Sequence, residues 1–244
     1  MTSSAARDEP MLRLIVIGDR KPAHITHREI DAVIGLLPND IEAGWVATDS
    51  SAARDLAGVD GVWLVSGGPY KDDDAVLAAI DYCIDSGTPF LGTCSGFQYA
   101  CIAVVRRQGL EAIHSEAEPD AADPIIARLA CSLYSEERLV VPVAGTRLAS
   151  ICGSEPFLGF HYCGFGLATK HEQTIERCGA VISAHADDAG VEAIELPHHP
   201  FFLATAFQPQ VGASETGRLH PLLRSLLGSA RASKMDAAAR VHQP

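Results

Sequence analysis

The patterned part of the chain begins with LRLIVI at residues 12–17, apolar at every position but one. A run without alternation suits a strand covered on both faces, so a buried parallel strand is predicted there. Gly18 and Asp19 end it. Residues 26–37 then carry Ile30, Val33, Ile34 and Leu37 at helical spacing, which predicts a helix with one apolar face. Strands are predicted over 44–48 and 62–65, the second running into Ser66-Gly67-Gly68-Pro69. Residues 72–86 read as a helix. Its three leading aspartates suit the positive end of a helix dipole, and Gly87 suits a left-handed stop. Strand and helix alternate through the first 107 residues, which predicts an α/β fold with a mostly parallel sheet. In such sheets ligands gather at the carboxyl ends of the strands.

The pattern changes after Gly109. EAEPDAADP (116–124) is a polar loop, and residues 139–143, 180–185, 191–195 and 201–207 read as strands separated by turns. The C-terminal half is therefore expected to be β-rich and partly antiparallel. A last short helix is predicted over 219–227. One domain is expected over 11–228, with a disordered lead-in at 1–10 and a loose polar tail at 229–244.

The candidate chemistry sits in PFLGTCSGFQYA, residues 89–100. A short apolar strand meets a helix start through Gly92-Thr93-Cys94-Ser95-Gly96. Gly-x-Cys-x-Gly between strand and helix is the cysteine form of a nucleophile elbow, in which small flanking residues let the chain turn tightly. The amides that open the following helix are expected to favour a thiolate at Cys94.

Composition narrows the rest. A chain of 244 residues with 47% hydrophobic positions can bury one well-formed domain. A net charge of −12 argues against a nucleic-acid surface. No apolar run approaches the roughly 18 residues of a membrane span, and residues 1–10 carry no secretory signal. The seven cysteines are scattered and form no Cys-x-x-Cys pair, as expected of reduced thiols in a cytoplasmic protein. Neither finger spacing nor His-Glu-x-x-His is present, and Gly67-Gly68-Pro69 lacks a phosphate-loop lysine, so no metal and no cofactor are expected. The expected partners are a small-molecule substrate or ligand and a second copy of the chain in a homodimer.

Several blocks carry a resemblance: GVWLVSGGPY (61–70), PFLGTCSGFQYA (89–100), AIHSE (112–116), and HPFFLATAFQPQ (199–210) followed by Ser214 and HPLL (220–223). Over residues 12–227 the chain resembles the class I glutamine amidotransferases, above all the glutaminase domain of CTP synthase. HYCGFGL and FQPQ look closer to a stand-alone group related to the C-terminal region of that enzyme, some of whose members resemble this chain with selenocysteine at the nucleophile. The resemblance implies a flavodoxin-like sandwich, a nucleophile at Cys94, oxyanion donors from the backbone of Ser95 and of the Gly67 and Gly68 loop, and a glutamine-binding role for Gln98. It also implies departures. The family's catalytic histidine falls at Gln208 and its glutamate partner at Gln210, the carboxylate that grips the substrate amine falls at Ala103, and an arginine of the family falls near Gly164. A glutamine amide cannot serve as a general base near neutral pH. His161, His114 and His24 are the candidate replacement bases, and Cys163 is a cysteine that the fold could bring to Cys94.

Three function classes follow. The first is a cysteine-dependent hydrolase or acyl-transfer enzyme acting on a small amide other than glutamine. The second is a catalytically dead binding or regulatory module. The third is a thiol redox protein using Cys94. A complete CTP synthase is not expected, because the resemblance reaches only the glutaminase part.

Overall fold

A computed structural model describes residues 11–241. The first half builds a parallel sheet from β1 (Leu12–Ile17), β2 (Ile41–Val46), β3 (Gly61–Leu64) and β4 (Phe90–Thr93). The second half adds β5 (Ile126–Pro142), β6 (Phe157–Leu167), β7 (Val181–Ala186), β8 (Gly190–Glu195) and β9 (Phe202–Thr205). The strand order is β2-β1-β3-β4-β9-β8-β7-β5-β6. Pairings from β2 through to β9 are parallel, and those from β9 through to β6 are antiparallel. The sheet is thus mixed. Its parallel part holds the alternating half of the sequence, and its antiparallel part holds the β-rich half.

Helices cover both faces: α1 (Ile25–Gly35), α2 (Asp73–Ser86), α3 (Ser95–Arg106), α4 (Arg147–Cys152), α5 (Glu172–Arg177), α6 (Ala213–Thr216) and α7 (Pro221–Val241). The central strands explain their apolar runs. Val62 and Leu64 pack into one core with α2 and α3, while Trp63 and Val65 pack into the other with α1 and α7. Phe90 and Leu91 split in the same way, as do Phe202 and Leu203. The α2 start follows its sequence signal, with the Asp72 side chain accepting from Ala75 N–H and Gly87 stopping the helix at φ 73°.

Three regions differ from expectation. The arm formed by β5 and β6 is far longer than the predicted strand at 139–143, because much of β5 alternates between exposed and half-buried positions and its middle, SEER at 135–138, reads as polar. Second, β2 begins at Ile41 and ends at Val46, shifted from 44–48. Third, α7 runs past Gly228 to Val241, so there is no loose tail over 229–241. Tertiary contacts carry the helix through its glycine: Ala230 is buried, Arg231 pairs with Asp40, and Lys234 donates to Asp60 and to Met11 O. The expected lead-in at 1–10 and the last three positions lie outside the described residues.

Candidate active site

Cys94 is the single residue between β4 and α3. Its backbone lies at φ 55° and ψ −108°, a left-handed conformation that a residue with a Cβ rarely adopts. Neighbours hold it there. Cys94 N–H donates to Thr205 O at 2.8 Å, and the Cys94 carbonyl accepts the first helical bonds from Phe97 and Gln98. The flanking glycines are needed for contact, since a Cβ on Gly96 would lie 2.3 Å from Leu64 O.

The facing loop follows β3. Gly67 sits at φ 126°, and Gly68 N–H donates to Ser95 Oγ at 3.0 Å. His27, a residue that sequence reading did not single out, fixes this loop. It accepts from Lys21 N–H at Nδ1, so Nε2 carries the proton and donates to Ser66 O at 3.0 Å. Burial and the neighbouring His24 lower its pKa to about 4, keeping the ring neutral.

Between the loop and α3 lies a cavity of about 130 Å³. That is below the usual size of sites for drug-sized ligands, and suits a ligand of few atoms. Cys94, Ser95, Gln98, Gly67 and Gly68 border it, as do His24, Lys21, Glu116, Tyr134 and the β6 segment from Tyr162 to Phe165. The predicted nucleophile, loop and Gln98 therefore meet in one place. Gln208 and Gln210 are buried beyond β9, do not line this cavity, and pair through Gln210 Nε2–H to Gln208 Oε1 at 2.7 Å. Ala103 packs in the core and does not border the cavity either; the carboxylate that does is Glu116, whose pKa is raised by burial against the pull of Arg128 and Lys21.

The three candidate histidines separate. His114 Nε2–H donates to Gln98 Oε1, Nδ1 accepts from Glu116 N–H, and burial lowers its pKa to about 4. It orients Gln98, whose Nε2–H donates to Phe165 O. His161 is fully buried with acceptors on both sides, Gly159 O at 2.9 Å and the Glu192 carboxylate at 2.9 Å. Both ring nitrogens must then carry protons. Burial alone would lower its pKa, but the hydrogen bond and charge of Glu192 outweigh that and raise it. His24 is the histidine that lines the cavity itself, edge-on to Tyr162 with ring centres 4.5 Å apart. Burial and Lys21 lower its pKa.

The sulfur chemistry departs from the expected thiolate at Cys94. Cys94 and Cys163 border the same cavity, and in its thiol form Cys163 donates to Phe165 O at 3.5 Å. The neighbouring Cys163 side chain, with burial, pushes the Cys94 thiol up, against the opposing pull of Ser95. Cys163 moves down, drawn chiefly by the Cys94 side chain against burial and helped by His161. The two sulfurs titrate as a pair, with Cys163 the lower of the two. Ser95 links the two walls, since its hydroxyl accepts from Gly68 N–H at 3.0 Å and acts to lower the neighbouring Cys94 thiol. Ser95→Ala removes that hydroxyl. The loss of one hydrogen bond, about 0.5–1.5 kcal/mol, should slow iodoacetamide alkylation of Cys94 about two- to tenfold at fixed pH. Peptide mapping of the labelled chain measures it, and an unchanged rate would remove Ser95 from the site's electrostatics. No group of three or more His, Cys, Asp or Glu side chains among the described residues is placed to hold a metal ion, and no described helix is long and apolar enough to cross a membrane.

Comparison with known proteins agrees with this fold. A family model described as Peptidase C26 matches residues 57–210. Among curated relatives, CTP synthase of Microcystis aeruginosa is 32% identical over 215 residues, 80% of this chain and 38% of that protein. CTP synthase of Chloroflexus aurantiacus is 30% identical over 222 residues, 82% of this chain and 40% of that protein. The chain thus spans about two fifths of the length of these relatives. Among solved structures, the glutaminase domain of Trypanosoma brucei CTPS with bound acivicin superposes with a TM-score of 0.75 at 21% identity, over 90% of this chain and 93% of that one. A glutamine amidotransferase from Thermotoga maritima gives 0.56 at 14% identity, over 91% and 95%. At these identities the likeness establishes the fold, which is the flavodoxin-like class I glutamine amidotransferase fold.

Proposed function

The chain belongs to the Peptidase C26 family, and from that premise we propose that it is a cysteine-dependent acyl-transfer enzyme acting on a small amide other than glutamine. Within the family the reading places it with the stand-alone relatives of the CTP synthase glutaminase domain, on the HYCGFGL and FQPQ segments. One observation carries the chemistry: the turn at φ 55° sets Cys94 at the wall of a cavity that Ser95 and Cys163 also line.

The step runs as follows. Cys163, as the more acidic sulfur of the pair, serves in its thiolate form and takes the Cys94 proton as the Cys94 sulfur bonds to the amide carbon. Negative charge builds on the carbonyl oxygen. Ser95 N–H meets that oxygen, and Gly68 N–H joins it when the Ser95 hydroxyl swings away. Collapse breaks the C–N bond, and Cys163 passes its proton to the leaving nitrogen. Water or an amine then takes the acyl group from Cys94. The family's base and its partner align with Gln208 and Gln210, whose amides cannot carry the proton, which is why the proposal gives that task to Cys163. Glu116 at the cavity wall suits a substrate with a cationic group.

The test is ammonia release from the reduced chain with a panel of short primary amides, L-glutamine among them. Turnover of a short amide at about 1–10 per second is expected, glutamine at least tenfold slower, and Cys94→Ala lower by about 10³-fold or more. Failure of every amide to release ammonia, while iodoacetamide still labels Cys94 rapidly, would end the acyl-transfer reading and favour a binding module. Glutamine as the fastest substrate would end its specificity clause alone.

A further inference from the structure

We propose that Cys94 and Cys163 form a peroxide-responsive dithiol centre, closing to an intramolecular disulfide across the cavity. This goes beyond acyl transfer, although Cys94 serves in both. Four buried groups from three parts of the fold converge here. Cys94 comes from the β4–α3 turn, His161 and Cys163 from one face of β6, and Glu192 from β8. Cys94 is 2% exposed and Cys163 9% exposed, and both border the cavity. Both line this one small cavity and each shifts the titration of the other, so the two sulfurs are close neighbours across it. The cavity of about 130 Å³ admits a molecule the size of hydrogen peroxide and is too small for a bulky thiol.

The other cysteines provide the contrast. Cys83 and Cys101 are embedded in the apolar core beside α2 and α3, where burial alone raises their thiols. Cys163 instead has a cation two residues before it. His161 spends both N–H groups on Gly159 O and Glu192, so it takes no proton from the sulfur. Its role is to hold positive charge beside Cys163, as a positioning residue.

The chemistry balances with peroxide as oxidant. The Cys163 thiolate attacks one peroxide oxygen, an S–O bond forms, the O–O bond breaks, and the departing hydroxide leaves as water after taking a proton. Cys163 is then a sulfenic acid. The Cys94 sulfur attacks Cys163, the S–S bond forms, the S–O bond breaks, and the Cys94 proton leaves with the hydroxide as a second water. Two thiols have been oxidised and one peroxide reduced to two waters. With the Cys94 sulfur tied up, acyl transfer stops until a reductant restores it.

The experiment uses the full chain, reduced and then freed of reductant, with a small excess of hydrogen peroxide. Titratable thiols under denaturing conditions should fall from seven to five per chain, the cysteine count being seven. A non-reducing peptide map should show one cross-link, joining Cys94 to Cys163, and a phosphine should restore all seven thiols. Cys94→Ser should lose the cross-link and trap a sulfenic acid on Cys163, read as its dimedone adduct. His161→Gln should slow thiol loss at pH 7 at least tenfold and move its pH profile upward. Seven thiols surviving peroxide, cross-links joining other cysteines, or no Cys163 adduct in Cys94→Ser would each overturn the proposal. If a variant does not fold, the map of the unmodified chain decides. The amide assay run in excess reductant tests acyl transfer separately, so the two readings fail independently.

Discussion

Gly96→Ala should lower the unfolding free energy by at least about 3 kcal/mol, the upper end of what an added core methyl costs. The new Cβ would lie 2.3 Å from Leu64 O and 3.1 Å from Leu64 C, both backbone atoms of β3 that cannot turn aside as a side chain can. Relief requires α3 to move off β3. Such a shift would also break the Gly68 N–H to Ser95 Oγ bond that joins loop and helix. Gly228→Ala is the control. A Cβ there meets nothing within 4 Å, and the position lies inside α7, so it should stabilise by about 0.5–1 kcal/mol through helix propensity. Urea unfolding midpoints measure both. A Gly96→Ala cost below about 1 kcal/mol would mean that α3 does not press on β3 as described. A destabilising Gly228→Ala would mean that the helix does not continue through that residue.

The same two glycines show what the chain makes legible. Gly96 belongs to a local motif, and the contacts that require its two glycines lie between β3, β4 and α3, elements the apolar runs already reveal. Cys94, Ser95, Gly67, Gly68 and Gln98 were readable for that reason, and they do share one cavity. Gly228 reads as a stop because local propensity says so, whereas the salt bridges of Arg231 and Lys234 reach strand ends nearly two hundred residues away. Long-range pairing also hides the second sulfur. Cys163 lies on β6, paired with a β5 that looks too polar for a strand, and only the register of β5 against β6 turns its side chain inward. Glutamates in the short strand β8 mislead similarly. Glu195 is buried because it accepts from Arg147 N–H and Leu148 N–H at the start of α4. Glu192 is buried because His161 waits for it. Nothing adjacent in sequence announces either partner.

That Glu192–His161 pair carries the other large expected effect. Both side chains are fully buried, and each is satisfied only while the other is present and charged. Removing one partner of such a pair strands a buried polar group, at a cost of about 3–5 kcal/mol. Glu192→Ala should therefore destabilise by about that amount near pH 6. Replacing both residues, as in His161→Leu with Glu192→Leu, should cost clearly less than the two single changes added together, because no charge is left without its counterpart. The pH dependence has a definite sign. The pKa of His161 is raised in the folded chain above its ordinary 6.5. Folding thus holds a proton that the unfolded chain gives up first. The associated stability is fully present below about pH 6.5 and is lost as pH rises through the folded-state value. Unfolding midpoints should therefore fall on going from pH 6 to pH 9 in the unmodified chain, and this slope should flatten in the double-leucine variant. The sulfur pair should respond in step, since His161 is one of the charges that lowers Cys163. Loss of the imidazolium above the folded pKa raises Cys163 and returns the proton balance toward two thiols. A Glu192→Ala variant within about 1 kcal/mol of the unmodified chain, together with a flat pH profile, would show that His161 is neutral in the core. It would also remove the charge on which Cys163 depends.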